Sequence, residues 1–123
     1  MSSAVIVAEP HPAYLHRPKL VVDASIVAAV VFLELNRSEA ASWLRGRALC
    51  APHLLDAEIA GAGANQVRGR RQSPDAVLAM LSEFEAMEID RYVVPPSGAF
   101  ELAQRYGLST YDASYLWLAG SLN

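Results

Sequence analysis

The stretch LVVDASIVAAVVFLEL, residues 20–35, is almost wholly apolar and has an aspartate as its fourth residue. Residues 19–23, KLVVD, predict a short buried strand because they are apolar and rich in β-branched side chains. Residues 25–35 predict a helix with Ser25 at its N-cap. A buried carboxylate is costly unless it is paired, hydrogen-bonded or bound to a metal. Asp23 is therefore either a cap for this helix or part of a site, and the stretch alone favours neither.

The composition suits one globular domain with a single core, since the chain has 123 residues and 53% of them are hydrophobic. A net charge of −3 excludes a protein that binds nucleic acid through overall basic charge. Cys50 is the only cysteine, which fits a reducing compartment. The apolar run at residues 4–8 is too short for a signal peptide, and later apolar runs are too short for a membrane span. We expect a cytoplasmic protein without a membrane segment.

Prolines and glycines divide the chain into an arm and one domain. Three prolines predict an extended N-terminal arm over residues 1–18, followed by a domain over residues 19–123. Glycines 61 and 63 predict a kink or close packing inside a helix. Strands alternate with helices, which predicts an α/β fold with a parallel sheet. Further strands are predicted at residues 48–51 and 91–96, and further helices at residues 38–45, 53–68, from 73 onward, 97–106 and 109–119.

Two carboxylates stand out by their position in these elements. Asp23 closes a strand, and ligands of open parallel sheets bind beyond the carboxyl ends of the strands. Glu58 lies four residues after Leu54 and three after Leu55, so it shares their apolar helix face. A solvated glutamate is not expected on that face, which favours a functional role for Glu58. Asp56 points another way, and we expect it to face water.

A third carboxylate, Asp112, allows two interpretations. The spacing Ser109-x-x-Asp112 has the form of a capping box. An acid in the first turn also faces the positive end of its helix and can point into a cleft. If Asp23, Glu58 and Asp112 converge, their oxygen ligands suit Mg²⁺ or Mn²⁺ rather than zinc. The chain has no nucleophile elbow and no P-loop, so those chemistries are not predicted.

Three segments taken together resemble a known family, the PIN domain. These are VVDAS (residues 21–25), APHLLDAEIAGA (residues 51–62) and GLSTYDASYLWLA (residues 107–119). Their order and spacing are similar to those of the VapC type, the toxin of bacterial toxin–antitoxin pairs. The likeness extends over about residues 19–122.

The resemblance implies a three-layer α/β/α fold and a Mg²⁺-dependent endoribonuclease that acts on RNA. It implies that Asp23, Glu58 and Asp112 are the catalytic acids and hold the ion, Mg²⁺ or Mn²⁺. It also implies that Ser25 supports the first acid. Members of the family are usually homodimers, and a cognate VapB-like antitoxin blocks them by laying its C-terminal segment along the active-site groove, often with an Arg directed at the acids.

The C-terminus departs from the family pattern. Family members continue into a strand that carries a fourth acid, whereas this sequence ends at Asn123 with no Asp or Glu after Asp112. We therefore expect a chain truncated relative to the family, without the last strand or strands, and with an unpaired edge on the strand at residues 19–23. The segment AVIVA in the N-terminal arm has strand character and would be suited to cover that edge.

Two functional hypotheses follow from this departure, and a third is disfavoured. The first is a metal-dependent ribonuclease toxin, either fully active or impaired by the loss of the fourth acid. The second is a catalytically inactive PIN-like module that binds an antitoxin or another toxin subunit. The third is a phosphoacceptor aspartate of the receiver or haloacid dehalogenase type. It is disfavoured because Ser25 stands where a dehalogenase needs a second Asp, and because no acidic pair precedes Asp23.

Overall fold

Residues 19–122 are described by the structure, a computed structural model, and they form an α/β fold as predicted. The predicted N-terminal arm lies outside the described residues. No helix within residues 19–122 combines the length and apolar character that crossing a membrane requires. The elements in chain order are β1 (Lys19–Val21), α1 (Ala24–Val31), α2 (Arg37–Leu44), β2 (Ala48–Pro52), α3 (Leu54–Arg68), α4 (Pro74–Glu85), β3 (Ile89–Tyr92), α5 (Pro96–Tyr106) and α6 (Thr110–Ser121).

The three described strands form one sheet in the order β1-β2-β3, and both pairings are parallel, as predicted. Leu20 is in register with Leu49, which in turn is in register with Ile89. Because the strands are parallel, their carboxyl ends lie at the same edge of the sheet. The residues that follow β1 and β2 are therefore brought to one edge.

Helices pack on both faces of the sheet, in agreement with the predicted three layers. Ala51 of β2 belongs to the main core and Leu49 packs against it. Helices α1, α3 and α4 supply the rest of this core. Cys50, between them, is 2% exposed and must point to the opposite face because side chains alternate along a strand. Helix α6 contacts β1 and β2, and α5 packs on α6, so these two helices form the other layer.

Two glycines permit close helix packing. A Cβ atom at Gly63 would lie 2.8 Å from Val77 Cγ1 of α4, whereas a Cβ at Gly61 would meet nothing within 4 Å. Helix α3 continues through both positions, so the sequence prediction of close packing is met at Gly63. A Cβ at Gly98 in α5 would overlap the indole of Trp117 in α6. Both layers of helices thus depend on a residue without a side chain at a crossing point.

The start and end of α1 differ from the sequence prediction. Asp23, not Ser25, is the N-cap, because its carboxylate accepts a hydrogen bond from the backbone N–H of Ile26. The helix ends at Val31 rather than at residue 35, since Leu33 adopts a left-handed conformation with φ of 56°. A helix cannot continue through that conformation.

Other boundaries are also corrected. The third strand is Ile89–Tyr92 rather than residues 91–96, because buried Ile89 pairs with β2 while Val93 is 76% exposed. Helix α2 begins at Arg37, one residue before the predicted Ser38 cap. The last helix continues through Gly120 to Ser121. Local residue types predicted each element but not always the residues at which it begins and ends.

Candidate active site

The three predicted acids lie around one cavity. Asp23 follows β1, Glu58 is in the second turn of α3 after β2, and Asp112 is in the first turn of α6. The cavity has a volume of about 460 Å³ and is lined by Asp23, Ala24, Ser25, Glu58, Asp112 and Tyr115. The acids reach it from three segments because the parallel strands direct the following residues to one edge and α6 packs against the same strands.

Asp23 is an exposed side chain with one of its two oxygens already engaged. Its Oδ1 accepts a hydrogen bond from Ser25 Oγ at 2.8 Å and one from the Ile26 N–H at 3.0 Å. The positive end of α1 also favours negative charge at this position. The two interpretations of Asp23, cap and site acid, are therefore compatible. Capping uses Oδ1, and Oδ2 remains for a ligand.

Glu58 is half-buried and is hydrogen-bonded across the cavity. Tyr115 of α6 donates its hydroxyl proton to Glu58 Oε1 at an O···O distance of 2.5 Å. Burial, followed by this hydrogen bond to Glu58, raises the pKa of Tyr115 well above its usual range. The phenol therefore stays protonated and acts as a donor. Sequence reasoning missed Tyr115, although its spacing of three residues from Asp112 places both on one helix face.

Asp112 is the third acid, and its backbone makes half of the predicted capping box. Its N–H donates to Ser109 Oγ at 3.1 Å, so Ser109 caps α6. The Asp112 side chain is exposed, and among residues 19–122 it makes no side-chain hydrogen bond. Its carboxylate is therefore free of local partners within the described part of the chain.

Asp56 is exposed and lies outside the cavity, as expected, but it also has a partner that the sequence did not indicate. Its two oxygens accept hydrogen bonds from Arg91 of β3, at 2.8 Å to Oδ1 and 3.1 Å to Oδ2. The same guanidinium lies over the Phe84 ring, 5.4 Å from its centroid. The hydrogen bonds from Arg91 lower the pKa of Asp56. This acid is thus neutralised by a partner 35 residues away and does not line the cavity.

The donor set has the chemistry expected for a hard divalent cation. Carboxylate oxygens suit Mg²⁺ and Mn²⁺, and Mg²⁺ commonly keeps several waters while only one or two carboxylates bind it. Within residues 19–122, no three His, Cys, Asp or Glu side chains are close enough to hold an ion directly between them. The cavity, in contrast, is large enough for an ion with part of its water shell. The residues fit such an ion when waters complete its coordination.

Comparison with known proteins identifies the family. The chain is 38% identical over 107 residues to Ribonuclease VapC9 of Mycobacterium tuberculosis and to a VapC ribonuclease of Mycobacterium bovis, covering 85% of this chain and 80% of each relative. It is 36% identical over 108 residues to Ribonuclease VapC3 of Pyrobaculum aerophilum, covering 82% of this chain and 81% of that protein. No family model matches the sequence. The chain belongs to the VapC ribonuclease family. The predicted VapC-type PIN fold is thereby confirmed for this VapC family member.

Proposed function

We propose that this VapC family member is a divalent-metal-dependent endoribonuclease and the toxin of a VapB–VapC pair. Asp23, Glu58 and Asp112 are the catalytic acids in this proposal, and they hold Mg²⁺ or Mn²⁺. One observation carries it: three carboxylates from separate segments line one cavity. The names of its relatives, which are ribonucleases, support the same activity.

The chain's own residues prepare the cavity for a cation and a phosphodiester. Three carboxylates concentrate negative charge there, which a divalent ion balances. The N-termini of α1 and α6 make that charge less costly to hold near Asp23 and Asp112. When bound, a divalent ion supplies a water of lowered pKa and offsets charge on the phosphoryl oxygens. Ser25 keeps Asp23 in one orientation through its hydrogen bond.

Cleavage of RNA by matched variants tests this proposal. Glu58→Gln keeps the size of the side chain and its ability to accept from Tyr115, but removes the charge. Glu101→Gln makes the same change at an exposed position of α5 that does not line the cavity. We expect cleavage in Mg²⁺ or Mn²⁺ by the wild type and by Glu101→Gln. We expect loss of cleavage with EDTA and in Glu58→Gln.

Calorimetry measures how tightly Mn²⁺ binds to the same proteins. It shows whether a variant that no longer cleaves RNA has also lost affinity for the metal. The proposal expects Mn²⁺ to bind the wild type and to bind Glu58→Gln more weakly. Cleavage that persists in EDTA, or that Glu58→Gln leaves unchanged, would show that another site acts on RNA.

A catalytically inactive binding module is the second candidate. It is favoured by the spacing of the acids, since no three ligating side chains among the described residues already surround an ion position. The same negative cavity would bind a cationic side chain, such as an Arg of a VapB-like antitoxin. This candidate predicts a stable complex with the antitoxin that Glu58→Gln weakens, together with no RNA cleavage in Mg²⁺ or Mn²⁺.

The homodimer also stays a prediction, and light scattering of the purified chain tests it. A mass twice the 13.3 kDa of one chain is expected. The cytoplasmic location stays a prediction as well.

A further inference from the structure

Tyr115 joins the two layers of helices at the cavity. It lies on α6, three residues after Asp112, and its hydroxyl reaches Glu58 on α3, 57 residues earlier in the chain. Its side chain lines the cavity and is half-buried. The hydroxyl is therefore placed at the edge of the candidate site rather than within the core.

The hydrogen bonds at Glu58 and Asp23 follow the same pattern. In each acid one oxygen is engaged by a neighbouring donor: Oδ1 of Asp23 by Ser25 and the Ile26 N–H, and Oε1 of Glu58 by Tyr115. Within residues 19–122 the other oxygen of each acid makes no hydrogen bond. Carboxylates that bind metals are commonly held in this way by outer donors, which limit their rotation.

Glu58 needs such a donor more than Asp23 does. A glutamate has one more rotatable bond than an aspartate, and Glu58 lies in the second turn of α3, beyond the N-terminal N–H groups that a carboxylate can use. The donor must therefore come from another element. Tyr115 is the described side chain that supplies it, and its spacing from Asp112 makes one helix present both an acid and a donor.

We infer that Tyr115 is a positioning residue for the proposed metal site: its hydroxyl holds Oε1 of Glu58 and leaves Oε2 free for a divalent ion in the cavity that Asp23 and Asp112 also line. The inference rests on the proposed function. The hydroxyl of Tyr115 donates to Glu58 Oε1 at 2.5 Å, and both side chains line the cavity. A purely structural hydrogen bond between α6 and α3 would stabilise the fold without affecting how tightly an ion binds.

Calorimetric titration with Mn²⁺ tests this role. Tyr115→Phe removes only the hydroxyl and keeps the ring, and Tyr106→Phe makes the same change at an exposed tyrosine of α5 outside the cavity. We expect the dissociation constant for Mn²⁺ to rise about tenfold or more in Tyr115→Phe and to stay unchanged in Tyr106→Phe. Circular dichroism melts in the absence of metal establish that each variant is folded.

A double-variant cycle shows whether the effect passes through Glu58. Glu58→Asp shortens the acid so that it no longer meets the hydroxyl, and Tyr115→Phe should then add less than about a twofold further loss, because coupled residues are not additive. Wild-type affinity in Tyr115→Phe overturns the inference and leaves the proposed function intact. So does a Tyr115→Phe protein that fails to fold, because the hydroxyl would then serve the core. A wild-type protein that binds no Mn²⁺ overturns the proposed function and the inference with it.

Discussion

Two substitutions at Asp23 separate its role as a helix cap from its proposed role as a catalytic acid. In the wild type, the Ile26 N–H donates to Asp23 Oδ1 at 3.0 Å. Asp23→Asn keeps an oxygen that can accept this hydrogen bond but removes the negative charge. Asn and Asp are equally good N-caps, so the free energy of unfolding should change by less than about 0.5 kcal/mol. Asp23→Ala removes the acceptor as well and should cost about 1 kcal/mol. For a domain of this size that loss lowers the melting temperature by about 4 °C.

Activity should not follow stability in this pair. Both variants lose a carboxylate of the proposed metal site, so RNA cleavage in Mg²⁺ or Mn²⁺ should fall about a hundredfold or more in each, which corresponds to about 3 kcal/mol or more of lost transition-state stabilisation. Thermal melts in EDTA measure the first effect, and initial rates of RNA cleavage measure the second. If Asp23→Asn cleaves RNA at the wild-type rate, Asp23 is only a cap. If Asp23→Ala has the same melting temperature as the wild type, the hydrogen bond between Asp23 and the Ile26 N–H does not stabilise the helix.

Two further predictions concern stability. Gly61→Ala should raise the free energy of unfolding by about 0.5–1 kcal/mol, because the site is an exposed helix position with open space, whereas Gly63→Ala should lower it by about 1–3 kcal/mol through overlap with α4. Urea titration measures both, and a shift of the same sign in the pair would contradict the packing described above. Arg91 lowers the folded-state pKa of Asp56, so their pairing stabilises the protein above the ordinary pKa of about 4, and this contribution is lost as the pH falls through the lower folded-state value. Because Asp56 is half exposed, the contribution should be only about 0.5 kcal/mol, and Asp56→Asn should reduce the loss of stability between about pH 5 and pH 3 by that amount. If the free energy of unfolding falls between about pH 5 and pH 3 by the same amount in Asp56→Asn as in the wild type, the Asp56–Arg91 ion pair does not contribute to stability.

The sequence predicted the architecture because its signals are local. Strand and helix patterns depend on neighbours in the chain, so every element expected within residues 19–122 is present, and the parallel sheet follows from their alternation. Boundaries were less accurate where packing overrides local preference. The third strand begins at Ile89 because that side chain is buried beside β2, although the β-branched residues that suggested a later strand follow it.

The acids that line the cavity could be predicted from the sequence, whereas the side chains that donate hydrogen bonds to the acids could not. Asp23 and Glu58 were recognisable because a carboxylate in an apolar run or on an apolar helix face is unusual. Tyr115 and Arg91 carry no such signal, since a tyrosine in an amphipathic helix and an arginine in a strand are ordinary. Their partners, Glu58 and Asp56, are 57 and 35 residues away in the chain.

The sequence by itself determined the type of each element and the order of the elements along the chain, and it placed acids after the strands. It could do so because hydrophobic periodicity and capping act over a few residues. Only the tertiary structure decided which donor each carboxylate accepts a hydrogen bond from. It assigns Asp56 to Arg91 and Glu58 to Tyr115, although the two acids are two residues apart on one helix. The physical reason is that hydrogen bonds and ion pairs depend on distances of a few ångströms between segments, which are set only when the two layers of helices pack on the sheet.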